Sequence, residues 1–283
     1  MDAMTDDVYR MPHAVDGSDL GQGDFIERAA QVLSRDDRIL GVWLTGSYGR
    51  GTNDRFSDVD LWVVVEPEDV ISFGEDWPTI CDDIAPTVLR KQVPGRPVFT
   101  QVTSDWVRFD LTIGTPHDIE RRTTITLHPL YDPAGLSSQL GEPGPGRQPD
   151  PDKVASLTQE FLRVLGLLPV VVGREEYVVA ELGAGLALNL LVDLMLEDVL
   201  VEDRGGAMHL NRLLPSEQRQ SLLDLPPIDA TRTSVIDAHL ACAALFIPLA
   251  RDLHTRCKLA WPQAIEDALR RHLDKTLTIT LPA

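Results

Sequence analysis

The amino-acid sequence predicts an α+β protein in which an N-terminal half of alternating helices and strands is followed by an all-α helical bundle. Short apolar runs bounded by polar residues recur as far as residue 113, as expected of buried strands. Residues 135–152 are rich in glycine and proline and predict a break between two domains. Beyond this break, apolar residues recur at helical spacing. The two halves are therefore expected to belong to different structural classes.

The N-terminal half contains two predicted helices and five predicted strands. Apolar residues at helical spacing predict a helix over residues 24–33 and a shorter one over 77–84. Apolar runs predict strands over residues 39–45, 58–65, 88–93, 98–102 and 106–113. The first of these strands ends at Gly46, where a turn is expected.

The boundary between the domains is predicted in the segment GLSSQLGEPGPGRQPDPD, which starts at Gly135 and holds no predicted regular element. The predicted catalytic domain, linker and helical domain are residues 1–135, 136–152 and 153–283. Predicted helices of the last domain cover residues 153–167, 174–201, 215–225, 231–259 and 262–273. In the helix predicted over residues 174–201 leucine recurs every four residues, which forms an apolar stripe.

Composition restricts the expected partners. The net charge is −18 at pH 7. Such a chain repels phosphate backbones, so a nucleic-acid partner is not expected, and it would attract a cationic small molecule; the same charge also serves solubility. Cys81, Cys242 and Cys257 are far apart and form no CxxC pair, which fits a reducing cytoplasm. The longest apolar stretch, residues 182–196, contains two polar residues and is too short to span a bilayer, so no membrane association is expected.

The segment GSYGRGTNDRFSDVDL, which begins at Gly46, is the part of the sequence richest in chemistry. Gly46 and Ser47 follow a predicted strand, and small residues in such a turn let backbone N–H groups approach phosphate oxygens. Arg50, between two glycines, continues this loop with a positive charge. The pattern predicts a loop that binds the phosphates of a ligand.

Three aspartates in and after this segment predict a metal site. Asp58 and Asp60 are two residues apart on a predicted strand, so their side chains share one face. Asp110 lies in a later predicted strand, on the face opposite its apolar residues. Magnesium binds one or two carboxylates together with substrate phosphates, and a pair of such ions can hold the attacking and leaving oxygens of an in-line displacement.

The order Gly-Ser, glycine and then Asp-x-Asp on the next strand resembles the nucleotidyltransferase superfamily of the DNA polymerase β type. The spacing is similar to that of the aminoglycoside and lincosamide nucleotidyltransferases. The resemblance covers residues 39–132 and implies a polymerase β-like domain with a mixed sheet, followed by a helical domain. The residues that it implies for nucleotide binding are Gly46 and Ser47, and Arg50 and Ser57 are further candidates for this role. Those implied for magnesium and catalysis are Asp58, Asp60 and Asp110.

These features predict a magnesium-dependent adenylyltransferase. The expected reaction moves AMP from ATP to a hydroxyl of a small molecule, an aminoglycoside or a lincosamide, and releases pyrophosphate; the choice of ATP rests on the resemblance alone. The general base is either Asp110 or a glutamate of the helical domain, where Glu176 is the candidate. Alternatives are a protein or RNA acceptor, or a non-catalytic, antitoxin-like nucleotide-binding module. The oligomeric state stays open, a homodimer included.

A second polar group lies in the helix predicted over residues 174–201, where Glu181, Gly185, Asn189, Asp193 and Glu197 follow one another at intervals of four residues. This polar stripe is either a solvated helix face or the lining of a site for a cationic acceptor.

Overall fold

The computed structural model describes residues 21–201, 204 and 207–281, which form two compact units. The N-terminal unit ends at Pro143 and the C-terminal unit begins at Gly144, inside the segment predicted as the linker. Residues 1–20 of the predicted catalytic domain lie outside the described residues. Each unit is described by itself.

A six-stranded mixed sheet forms the centre of the N-terminal unit. Its strands are β1 (Ile39–Leu44), β2 (Val59–Val65), β3 (Thr87–Gln92), β4 (Val98–Thr103), β5 (Arg108–Gly114) and β6 (His128–Tyr131). They are ordered β3-β4-β5-β2-β1-β6, and β2 pairs with β5 in parallel whereas the other pairs are antiparallel. Strands β1 to β5 confirm the five predicted strands. The short strand β6 has no predicted counterpart, because four residues that include a proline carry no strand pattern.

Three α-helices accompany this sheet: α1 (Gln22–Leu33), α2 (Gly46–Gly49) and α3 (Val70–Ile84). Short 3₁₀ helices cover Pro67–Asp69, Pro116–Arg121 and Leu136–Gln139. Helix α3 is longer than the predicted helix over residues 77–84. Pro78 is of a type favoured at helix starts, but burial of Phe73 against the sheet extends the helix by two turns toward its N-terminus.

The two faces of the sheet are covered differently. On one face, alternate residues of β2 and β5 pack with α1 and α3 in a large apolar core. On the other face, Trp43 and Trp62 are fully buried, with ring centroids 5.2 Å apart in a smaller cluster. This smaller cluster covers the later part of β2. The start of β2 and of β5 on the same face carries Asp60 and Asp110 instead, and this is where the predicted site lies.

The described residues of the C-terminal unit form seven α-helices. They are α4 (Pro151–Leu165), α5 (Leu168–Gly173), α6 (Tyr177–Asp198), α7 (Leu210–Leu213), α8 (Ser216–Leu223), α9 (Arg232–Arg256) and α10 (Gln263–Leu277). One apolar core joins them, with the rings of Phe161 and Phe246 stacked at 3.7 Å between centroids. The all-α prediction is thereby confirmed for this part of the chain.

The prediction that residues 135–152 hold no regular element is wrong at both ends. The carboxylate of Asp132 accepts two backbone N–H groups, from Leu136 and Ser137, and so starts a 3₁₀ helix. At the other end, the carboxylate of Asp150 accepts N–H groups at the start of α4, where Pro151 occupies the first turn. Side chains that cap a helix therefore order part of a segment whose composition suggests a loop.

Three segments among the described residues are long and apolar enough to cross a membrane by length and composition, namely Pro151–Gly173, Tyr177–Asp198 and Arg232–Arg256. The first is interrupted between α4 and α5 by a turn at Gly166 and Leu167. All three contribute side chains to the core of the C-terminal unit. The absence of a membrane partner stays a prediction.

Candidate active site

The turn after β1 brings Gly46 against the carboxylate of Asp60. Gly46 has a φ of 58°, in the left-handed region that glycine favours. A Cβ atom at this position would lie 1.8 Å from Oδ2 of Asp60, far below any real contact distance. Glycine is therefore required both by the backbone conformation and by the neighbouring carboxylate.

Ser47, the next residue, has a buried hydroxyl group. The residue is 5% exposed, and its Oγ atom has no hydrogen-bond partner among the described residues. A buried polar atom without a partner costs about 1–3 kcal/mol. A ligand oxygen or a water molecule bound in this turn would remove that cost. Arg50 ends the same short helix, so three predicted nucleotide-binding residues are brought together in one turn.

Ser57, the fourth predicted nucleotide-binding residue, is part of a turn just before β2. Its hydroxyl accepts the backbone N–H of Asp54 at 2.9 Å and donates to the Asp54 carboxylate at 3.3 Å. The amide of Gln22 donates to the carbonyls of Arg55 and Ser57, both at 3.1 Å. The structure thus gives the Ser57 hydroxyl a role within the turn, and its part in nucleotide binding stays a prediction.

The predicted acids come together at the start of two neighbouring strands. In the parallel pairing of β2 with β5, Asp60 lies opposite Asp110, and Asp58 directly precedes β2. Burial raises the pKa of Asp110 above its ordinary value, and the charge of Asp58 raises it further. A hydrogen bond with Thr100 and the charge of Arg108 act in the opposite direction. Asp58 and Asp110 are therefore close enough for their charges to interact.

These acids fit the oxygen-rich, anionic donor set that magnesium needs. Two carboxylates that repel each other in a partly buried place are stabilised by a divalent cation. Among the described residues, no group of three or more His, Cys, Asp and Glu side chains is arranged to hold a metal ion by itself. Phosphate oxygens of a nucleotide would have to complete the coordination, and the metal-ligand assignment stays a prediction.

Thr100 and Gln22 are site residues that the sequence patterns did not indicate. Thr100 lies opposite Asp110 in the antiparallel pairing of β4 with β5, and Gln22 reaches the turn before β2 from α1. Pairing of β4 with β5 could be predicted as a hairpin, and it would place Thr100 beside Asp110. The contact of Gln22 links residues more than thirty positions apart and leaves no local signal.

In the C-terminal unit, Glu176 precedes α6 instead of lying in its first turn. The predicted helix over residues 174–201 starts late because Glu175 has a positive φ of 58°, which ends the preceding helix. Glu176 is exposed at the N-cap position. Its proposed part as general base stays a prediction.

The predicted polar stripe of α6 is divided by the structure. Glu181, Gly185 and Asn189 line an open groove of about 560 Å³ together with apolar residues. Glu197 is fully buried and forms ion pairs with Lys153 at 2.9 Å and Arg204 at 2.8 Å. Burial alone would raise its pKa, but hydrogen bonds from these two bases lower the pKa to about 2. Neither interpretation of the polar stripe, a solvated helix face or the lining of a site for a cationic acceptor, holds for Glu197. Its ion pairs stabilise the helical unit.

Comparison with family models gives a match to part of the N-terminal unit. Residues 26–88 match the family model described as "Nucleotidyltransferase domain". This range includes the Gly46–Ser47 turn, Asp58 and Asp60, so the chain is similar to a nucleotidyltransferase domain over the residues that carry the predicted motif.

Comparison with solved structures also gives matches. The chain is similar to an aminoglycoside 6-adenyltransferase from Bacillus subtilis, with 16% identity, coverage of 89% of this chain and 96% of that chain, and a TM-score of 0.41. It is also similar to a CCA-adding enzyme, with 13% identity, coverage of 89% and 69%, and a TM-score of 0.36. At these values the likeness says nothing about substrates. No curated protein matches the sequence significantly.

Proposed function

We propose that the protein transfers the AMP moiety of ATP to a hydroxyl group of a small molecule and releases pyrophosphate. The observation that carries this proposal is the position of Asp58, Asp60 and Asp110 beside the Gly46–Ser47 turn in a nucleotidyltransferase domain. A nucleotide-binding module without catalysis would need the turn but has no use for three acids at one edge of the sheet. The acids therefore favour an enzyme.

The triphosphate binds at the turn that follows β1. The Ser47 hydroxyl is buried without a partner among the described residues, and it donates to a phosphate oxygen in this proposal. Arg50 adds a positive charge at the end of the same turn. Magnesium, held by the aspartates and phosphate oxygens, would neutralise charge that develops on the phosphates.

Asp110 accepts the proton of the attacking hydroxyl. Its carboxylate lies on the strand next to Asp60, and burial together with the charge of Asp58 raises its pKa. A carboxylate at this position can take the proton as the hydroxyl attacks the α-phosphorus. Thr100 orients this carboxylate through a hydrogen bond. Glu176 stays the alternative base from the C-terminal unit.

An aminoglycoside or a lincosamide is the proposed acceptor class, in a cytoplasmic reaction. The support is the spacing from Gly46 to Asp60, which resembles the antibiotic nucleotidyltransferases, and the net charge of −18. A strongly acidic protein attracts cations and repels polyanions, so a nucleic-acid acceptor is not favoured.

A product screen tests the proposal. The protein is incubated with magnesium, each of the four ribonucleoside triphosphates, and streptomycin, kanamycin or lincomycin. Pyrophosphate release is measured, and the acceptor is weighed by mass spectrometry. We expect one compound to gain one AMP. Transfer to RNA or to protein instead would show that the acceptor class is wrong, and binding of ATP without any transfer would indicate a non-catalytic module.

Asp58→Asn and Asp60→Asn test the site within the same screen. Each removes one proposed magnesium ligand, so transfer should fall to the level of an enzyme-free mixture while the fold persists. Asp83→Asn, an exposed residue of α3, makes the same change of charge away from the acids and should keep full activity. Wild-type turnover in Asp58→Asn or Asp60→Asn would contradict the metal assignment.

A further inference from the structure

Two large aromatic side chains are exposed at one edge of the N-terminal unit. Phe56 is 68% exposed and Trp106 is 74% exposed. Nine of the twelve phenylalanine and tryptophan residues in the chain are buried. Phe56 and Trp106 are therefore exceptions among the phenylalanine and tryptophan residues of this protein, most of which are buried.

Both residues lie beside the acids. Phe56 comes two residues before Asp58, and Trp106 comes two residues before the start of β5, the strand that carries Asp110. Because β2 and β5 run in parallel, the segments that precede them meet at the same edge of the sheet. The guanidinium of Arg108 donates to the carbonyl of Phe56 at 3.2 Å and joins these two segments.

Trp106 also has an unfavourable backbone conformation. Its φ is 68°, in the turn between β4 and β5, where Trp106 N–H donates to the Thr103 carbonyl at 3.0 Å. Glycine or asparagine is usual in such a conformation, and a bulky residue there is strained. Since the side chain is exposed, packing within the unit does not compensate for this strain. Strained residues of this kind are concentrated at ligand-binding sites.

The strand order indicates whether Trp106 lies on the side of the nucleotide or on the side of the acceptor. The turn at Gly46 and Ser47 follows β1, which lies on one side of β2, while β5 lies on the other side. In an in-line displacement the attacking and leaving oxygens are on opposite sides of the phosphorus. With the triphosphate held at the turn, the acceptor hydroxyl approaches from the β5 side, where Asp110 and Trp106 are located.

We propose that Trp106 binds an amino-substituted ring of the acceptor and determines acceptor specificity; the ring of Phe56 already has the guanidinium of Arg55 over it, 5.2 Å from its centroid. This inference rests on the proposed function. The indole face offers apolar area to the C–H face of a saturated ring and attracts an ammonium group carried by that ring. In this proposal the strained turn is retained because it places the exposed indole on the acceptor's side of the site.

Three substitutions of Trp106 distinguish the effect of the aromatic ring on acceptor binding from the effect of the strained turn. Trp106→Gly suits a φ of 68° and removes the ring, so it should leave the thermal midpoint unchanged or higher. Trp106→Ala removes the ring and keeps the strain. Both should raise the acceptor KM about 5–30-fold, with the ATP KM changed less than about twofold. Trp106→Phe keeps an aromatic face and should restore most of the affinity. Ile71→Ala, at an equally exposed residue of α3, is the matched control.

Acrylamide quenching of tryptophan fluorescence gives a readout besides activity. Trp43, Trp62 and Trp77 are buried and Trp261 is partly exposed, so Trp106 contributes most of the quenchable emission. Streptomycin and lincomycin are the acceptor probes, and ATP with magnesium is the nucleotide probe. The acceptor that the parent enzyme modifies should shield Trp106, and ATP should not.

The results of these experiments test the role of Trp106 separately from the proposed function. Shielding by ATP and not by the acceptor would overturn the inference in favour of a nucleobase contact. An unchanged acceptor KM in Trp106→Gly would overturn it while leaving the proposed function intact. If the parent enzyme adenylates none of the three compounds of the product screen, the proposed acceptor class fails, and the inference that depends on it fails too.

Discussion

Replacing Gly46 with alanine should displace the Asp60 carboxylate from the candidate site. The added Cβ would lie 1.8 Å from Oδ2 and 2.8 Å from Cγ of Asp60. A left-handed φ costs a non-glycine residue about 1–2 kcal/mol. Overpacking against the carboxylate adds about 1–3 kcal/mol. We therefore expect Gly46→Ala to lower the free energy of unfolding by about 2–5 kcal/mol.

Gly51→Ala is the matched control for this substitution. Gly51 has a φ of 65° in the same loop, but a Cβ there would meet no atom within 4 Å. It should cost only the backbone strain of about 1–2 kcal/mol. In an Asp60→Ala background the two nearest clashing atoms are gone, and the closest remaining contact is with Cβ at 3.3 Å. The cost of Gly46→Ala should then fall to that of Gly51→Ala.

The measurement is urea unfolding followed by fluorescence of the buried tryptophans of the N-terminal unit, together with adenylyl transfer. Gly46→Ala should lose transfer as completely as Asp60→Asn, because the carboxylate can no longer occupy its position, whereas Gly51→Ala should retain transfer. Equal costs for Gly46→Ala and Gly51→Ala in the parent background would refute the proposed steric conflict. So would a failure of Asp60→Ala to reduce the cost.

Two further predictions concern polar groups of the site. Ser47→Ala should leave the nucleotide-free protein equally or more stable, because it removes a buried hydroxyl that has no partner among the described residues. It should weaken ATP binding, measured by calorimetry, by about 1.5–3 kcal/mol. Unchanged affinity for ATP would exclude this hydroxyl from the phosphate site. Asp110→Asn removes a carboxyl whose pKa is raised by burial and by Asp58. Because the folded protein binds this proton more tightly than the unfolded chain, the protonated carboxyl stabilises the fold below its ordinary pKa of 3.8. That contribution is lost as the pH rises through the raised pKa. In EDTA at pH 7 the asparagine variant should thus melt higher than the parent, an advantage that shrinks as the pH is lowered toward 3.8; a lower melting temperature at pH 7 would contradict the assigned cause.

The sequence alone predicted the parts of the site that depend on local geometry. Alternation along a strand places Asp58 and Asp60 on one side and Val59 and Leu61 on the other, because side chains of an extended chain point alternately to opposite faces. The turn at Gly46 is likewise a local feature. The motif therefore predicted the class of domain without any knowledge of strand order.

Long-range partners were beyond the reach of such patterns. That Asp110 lies opposite Asp60 depends on the parallel pairing of β2 with β5, whose partners are about fifty residues apart. The same holds for Glu197, which shares its spacing with the exposed Asp193 but is buried because Lys153 and Arg204 neutralise it. Periodicity reports which face of an element a residue occupies. Only the tertiary structure decides what covers that face, since the covering residues come from distant parts of the chain.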